Sequence, residues 1–227
     1  MNDSIKDKID KIVQVFENGK IVDYGQVSFN NDGPNGIDML SYGVLQCTEW
    51  GGSLKGLIQS YVNACGKYSK QLQPYLNKIG VVSLYADTVF IELLRNSGSD
   101  IVMQDCQNIY FNNHYWVPAF DWFNRHDFTL NLSMLVIFDS FINSGSIRMD
   151  VRDMFSELTP DSDGDEKTWV TQYVAARKQW MANKGGAIAR DHYRMDSIQV
   201  AINDNDWNLI NPFSIVDNSG NKIAVIE

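Results

Sequence analysis

Apolar side chains return every three to four positions at the start of the chain, at Ile5, Ile9, Ile12, Val13 and Phe16, which predicts an amphipathic helix. Ser4 is its expected N-cap and Asn18-Gly19 its stop. Residues 23–43 lose that period and are rich in Gly and Asn. The alternation Tyr24-Gly25-Gln26-Val27-Ser28-Phe29 predicts a short strand before the turn NNDGPNG. Helical spacing resumes over 53–65 (Leu54, Leu57, Ile58, Tyr61, Val62, Cys65), around 83–95 (Leu84, Phe90, Leu93, Leu94) and through 99–112. The segment 130–143 is apolar on almost every face, which predicts a central buried helix. Helices over 166–183, with Trp169, Tyr173 and Trp180, and over 192–203 follow, and the tail from Lys222 to Glu227 alternates weakly, as a terminal strand would. The elements describe a mostly α (α+β) chain. We read residues 1–227 as a single catalytic domain of two lobes, joined by the long central helix, with a small β-sheet in the front lobe.

Composition narrows the function. At 227 residues with 44% apolar content, the chain is long enough to bury a full core. A net charge of −9 argues against nucleic-acid binding, which needs a basic footprint. No basic segment followed by an apolar one opens the chain, so no signal peptide is visible. The most apolar run, LSMLVIFDSFI, is too short to span a membrane and carries Asp139. Cys47, Cys65 and Cys106 are an odd number without zinc-like spacing, and are expected as buried free thiols. His114, His126 and His192 are scattered, and the loop Asp161-Ser162-Asp163-Gly164-Asp165-Glu166 lacks the glycine and closing glutamate of a calcium loop. It reads instead as a helix N-terminus, and neither metal nor cofactor is expected. Tyr110, Tyr115, Trp116, Trp122 and Phe123 are expected in the core, with one or two open to a sugar-binding role.

One chemical anomaly stands out. The first helix ends on Glu17, where the helix dipole disfavours a negative charge. Asp32 follows in the NNDGPNG turn. Glycoside hydrolysis needs one carboxyl that donates a proton and one that is ionised. A glutamate at a helix C-terminus among apolar neighbours suits the first role, and an aspartate in a turn with free backbone donors suits the second. From spacing alone a merely exposed glutamate and a common Asp-Gly turn explain the same residues.

Further segments bear on that choice. FENG, DYGQVSFNNDG and SYG, then MLVIFDSFINSG, GDEKTWVTQYVAARKQWM, YRMD and NLINPF, resemble family 46 glycoside hydrolases, the chitosanases, and their lysozyme-like relatives, along most of the chain. The resemblance implies a lysozyme-like fold with a substrate cleft between the lobes. It implies that Glu17 is the general acid and Asp32 the general base of an inverting mechanism. It also implies that Asp139, Arg177 and Arg194 couple the two carboxylates. A buried Asp139 on an apolar helix would in any case demand such cationic partners.

The departures shape the rest. The turn DGPNGIDMLSYG is longer than the family's by about four residues and lacks its Arg. It supplies Asp38 as an alternative base, and only Ser41 or Tyr42 to replace the family's water-positioning Thr. Ser53 stands where chitosanases carry the Asp that grips the substrate amine. The expected substrate is therefore N-acetylated, the peptidoglycan glycan backbone, with chitosan as the alternative and a decayed glycan-binding module as the second alternative. The chain is also similar to lysozyme domains of phage and of type VI secretion spike (VgrG) proteins. That likeness implies an antibacterial effector exported without a classical signal to the periplasm or outside the cell, an immunity protein as partner, and no membrane insertion.

Overall fold

The computed structural model describes residues 2–19, 23–31, 33–44 and 46–227. In chain order the main elements are α1 (Asp3–Asn18), β1 (Val27–Asn30), β2 (Met39–Tyr42), β3 (Cys47–Thr48), α2 (Ser53–Asn63), α3 (Ser69–Leu72), α4 (Thr88–Ser97) and α5 (Ile101–Phe111). Then come α6 (Val117–Arg125), α7 (Asn131–Ser144), α8 (Met149–Arg152), α9 (Glu166–Lys184), α10 (Gly186–Arg190), α11 (Tyr193–Asn203), β4 (Phe213–Val216) and β5 (Lys222–Ile226). The fold is mostly helical with small sheets, as the periodicity predicts.

The chain divides into two compact units. Residues 22–113 form one, and residues 1–21 with 114–227 form the other. In the 22–113 unit, β1, β2 and β3 make an antiparallel sheet in that order, with Val27 opposite Tyr42 and Phe29 opposite Leu40. Leu40 and Tyr42 face a core built with Leu54, Leu57, Ile58 and Tyr61 of α2, Phe90 and Leu94 of α4, and Met103 of α5. Asp87 and Asp100 cap α4 and α5, accepting hydrogen bonds from the amides of Phe90 and Val102.

The other unit is organised around α7. Leu132 and every residue from Met134 to Phe138 are buried, and α1, α6, α9 and α11 all pack on this helix. Its all-round apolarity thus has a direct cause: every face is covered. The helix lies wholly within this unit, which the chain re-enters at His114, inside a π-helical turn, Asn112–Trp116, that follows α5. Helix α7 is thus the core of this unit. Glu166 caps its start, accepting from the amides of Thr129 (2.9 Å) and Leu130 (2.8 Å) and from Ser133 Oγ (2.6 Å). The tail strand is β5, and it pairs with β4 in a hairpin.

Details differ from the pattern-based reading. Asn2, not Ser4, caps α1, its side chain accepting from the amide of Ile5. Helix α4 starts at Thr88 rather than 83, because Leu84 fills the core from a loop. Cys47 and Cys106 are buried, but Cys65 is exposed in a left-handed conformation. Burial lifts the Cys47 thiol to about 12. Trp116 and Phe123 are core residues, while Trp122 is half-buried and packs on Phe128 and Trp169.

Candidate active site

Helix α1 ends as its sequence dictates. Gly19 adopts a left-handed conformation and its N–H closes on Val15 O at 2.8 Å. The last turn carries no basic residue. Two consecutive residues of α11 supply what is missing. Tyr193 donates its hydroxyl to Phe16 O (2.5 Å), satisfying a carbonyl that the helix leaves open. Arg194 donates Nη1 to Glu17 Oε1 (2.6 Å). A guanidinium therefore opposes the unfavourable field of the helix end.

Arg194 is itself anchored. The same Nη1 reaches Asp139 Oδ1 at 3.1 Å. Asp139 is fully buried on α7, and its other oxygen accepts from Arg177 Nη1 of α9 at 2.6 Å. Arg177 also reaches Ser140 Oγ (3.0 Å) and Asn143 Oδ1 (3.2 Å), and Tyr173 donates to the same Ser140 hydroxyl (3.0 Å). Asp191 stands 3.8 Å from Arg194 Nη2 and accepts from Asn143 Nδ2. Glu17, Arg194, Asp139 and Arg177 form a ladder of alternating charge running from a carboxylate at the surface into the core. Along it the side-chain exposure falls from 35% at Glu17 to 0% at Asp139.

Burial works against the Arg194 charge, but the carboxylates of Asp139 and Glu17 more than offset it and hold the guanidinium above its ordinary pKa. Tyr173 and Tyr193 are pushed up chiefly by burial, so both hydroxyls stay neutral donors. The helical spacings that complete the ladder went unremarked in the sequence: Asn143 lies four residues after Asp139, Tyr173 four before Arg177, and Asp191 three before Arg194.

The chain matches glycosyl hydrolase family 46 over residues 11–213. It belongs to that family. The chain is therefore a glycoside hydrolase. No curated protein sequence matches it. Among solved structures it is similar to a mutant chitosanase from Bacillus subtilis MY002 complexed with 6 GlcN, at 19% identity and TM-score 0.82 over 100% of both chains. It is also similar to the Gynuella sunshinyii family 46 chitosanase in complex with chitotetraose, at 17% identity and TM-score 0.82 over 100% of this chain and 99% of that one. These are likenesses of fold.

Of the remaining residues singled out in this family 46 enzyme, Asp32 lies outside the described residues. Asp38 is exposed in the segment before β2, and its carbonyl accepts from Ser83 Oγ at 2.8 Å. Ser41 lies on β2 opposite Ser28 and Thr48, buried, with its hydroxyl donated to Gln46 Oε1 (3.1 Å). Tyr42 follows it on β2 and is equally buried. Its side chain points into the core, its hydroxyl is bonded to Ser97 Oγ (2.8 Å), and burial raises its pKa. Ser53 opens α2 and accepts from the amide of Thr48 (2.9 Å), bracing the turn after β3. The pattern missed Glu49, a fully buried carboxylate that accepts from the amides of Leu40 (3.0 Å) and Leu84. Among the described residues no group of three His, Cys, Asp or Glu side chains is placed to hold a metal ion.

Proposed function

We propose that the chain is an inverting endo-β-1,4-glycosidase of amino-sugar polymers, with Glu17 as general acid and Asp32 as general base. The observation that carries this reading is the ladder: a buried, fully paired aspartate fixes Arg194, and Arg194 fixes a carboxyl that still faces solvent. With Oε1 held by the guanidinium, Oε2 is the oxygen left to deliver a proton. It passes to the glycosidic oxygen as the bond to the anomeric carbon breaks. Water attacks that carbon from the opposite face and loses its proton to Asp32, giving inverted product. Asp139, Arg177 and Arg194 act by positioning Glu17. Asp38 is the alternative base.

Two substrates are in view. Ser53 supports an N-acetylated polymer, the peptidoglycan backbone, because its hydroxyl braces a turn and puts no carboxylate where an amine would be gripped. The ligands of the solved relatives, 6 GlcN and chitotetraose, support chitosan. Purified cell wall and chitosan are digested side by side, and soluble products are identified by mass spectrometry. We expect fragments from cell wall in excess of those from chitosan. The reverse order moves the assignment to a chitosanase, and binding without soluble fragments from either overturns the hydrolytic reading.

A further inference from the structure

Phe29 and Tyr85 are 44% and 38% exposed, yet their rings meet edge to face, centroids 5.2 Å apart and planes at 77°. Leaving two aromatic rings partly in water forgoes the gain of burying them. Phe29 shares the face of Val27 on the edge strand β1, but lies past the margin of the core that covers Val27.

The mount beneath the pair is rigid. Phe29 is registered against Leu40, which is fully buried. One Glu49 oxygen accepts from the amide of Leu40, and the other accepts from the amide of Leu84, the residue before Tyr85. A single buried carboxylate thus clamps the strand partner of one ring to the backbone carrying the other. Ser83 Oγ holds Asp38 O at 2.8 Å, fastening the same loop to the segment that follows the candidate base. Pre-ordered, half-exposed rings are what a binding surface needs, since little ordering entropy is left to lose.

Phe29 is also close in the chain to the candidate base. Phe29 precedes Asp32 by three residues, so their α-carbons are at most about 11 Å apart by chain length alone. A step formed by one ring standing on the other matches the flat apolar face of one pyranose better than the broad surface of a protein partner. We propose that Phe29 and Tyr85 form an aromatic platform that stacks a sugar ring of the polymer beside the one being cleaved. The platform rests on the glycosidase reading above.

The test compares Tyr85→Ala, Phe29→Leu and the ring-conserving Tyr85→Phe with the unmodified protein, using thermal melts to confirm folding. The probes are the two polymers named above and their hexasaccharides. Loss of one stacked ring is expected to raise KM about tenfold for Tyr85→Ala and Phe29→Leu, with the loss falling on KM rather than kcat, while Tyr85→Phe restores it. Unchanged KM in the folded Ala and Leu variants of a protein that cleaves either polymer overturns the platform alone. No cleavage by the unmodified protein removes the glycosidase reading and the platform with it. A concentration-dependent dimer seen by sedimentation and abolished by the same variants, with kinetics unaltered, reassigns the surface to self-association and overturns the proposal.

Discussion

Arg194 and Glu17 stand 177 positions apart in the chain and 2.6 Å apart in space. Between them they bind the end of the first helix to the last third of the sequence. Because Arg194 is in turn held by Asp139, the orientation of the Glu17 carboxyl is set by groups it never touches.

Replacing Glu17 by Gln keeps an oxygen for Arg194 but removes the transferable proton. Turnover is expected to fall by at least about 100-fold, with the melting temperature nearly unchanged. Reducing-sugar release and a circular-dichroism melt measure the two effects, and wild-type-like release ends the assignment of the acid.

Removing Arg177 leaves Asp139 with a single cationic partner in a site closed to water. Arg177→Ala is expected to cost about 3–5 kcal/mol of stability, read as a lower urea midpoint. A change under about 1 kcal/mol would mean that the buried pair contributes far less than such pairs do elsewhere.

The two candidate bases separate by substitution. Asp32→Asn should abolish activity, whereas Asp38→Asn should leave most of it. The opposite pattern transfers the role to Asp38. Proton NMR of fresh product should show the inverted anomer in the active proteins.

Acid stability has an identifiable contributor. Burial alone would raise the Asp100 pKa, but hydrogen bonds from Tyr61 (2.5 Å) and from the amides of Lys67 (2.7 Å) and Val102 outweigh it and hold the carboxyl below the ordinary aspartate range. The folded form therefore binds its proton less readily than the unfolded chain. The stabilisation is full above the unfolded value and disappears as pH falls through the depressed one. Asp100→Asn should lose about 1–2 kcal/mol at neutral pH, and the gap to the unmodified protein should close in denaturation curves taken below the usual carboxylate range.

Ser53→Asp tests the substrate reading from the other side. The new carboxylate would still accept the Thr48 amide and would sit at a helix N-terminus that favours it. Chitosan cleavage relative to cell-wall cleavage should rise, by about tenfold if one amine contact is gained. An unchanged ratio would leave Ser53 with its bracing role only.

The helices were legible because burial imposes period. The stripe from Ile5 to Phe16 and the unbroken apolar run of α7 each map onto what they touch. The cap of α1 was not, because Asn2 and Ser4 are equally good capping residues and only geometry chooses between them. Strands β2 and β3 were missed for a different reason. They are short, β2 is ordered by pairing with β1 and by Glu49, and β3 by pairing with β2, none of which leaves a local signature. Within the site, Asp139 was conspicuous as a charge on an apolar helix. Ser140, Asn143 and Tyr173 look ordinary until the guanidinium that unites them is in place.

The neighbours Tyr193 and Arg194 close the end of α1 from 177 positions further along the chain. On the ribosome, Glu17 emerges long before either of them. A chain cut before α11 thus keeps Glu17 but not the guanidinium that holds its Oε1.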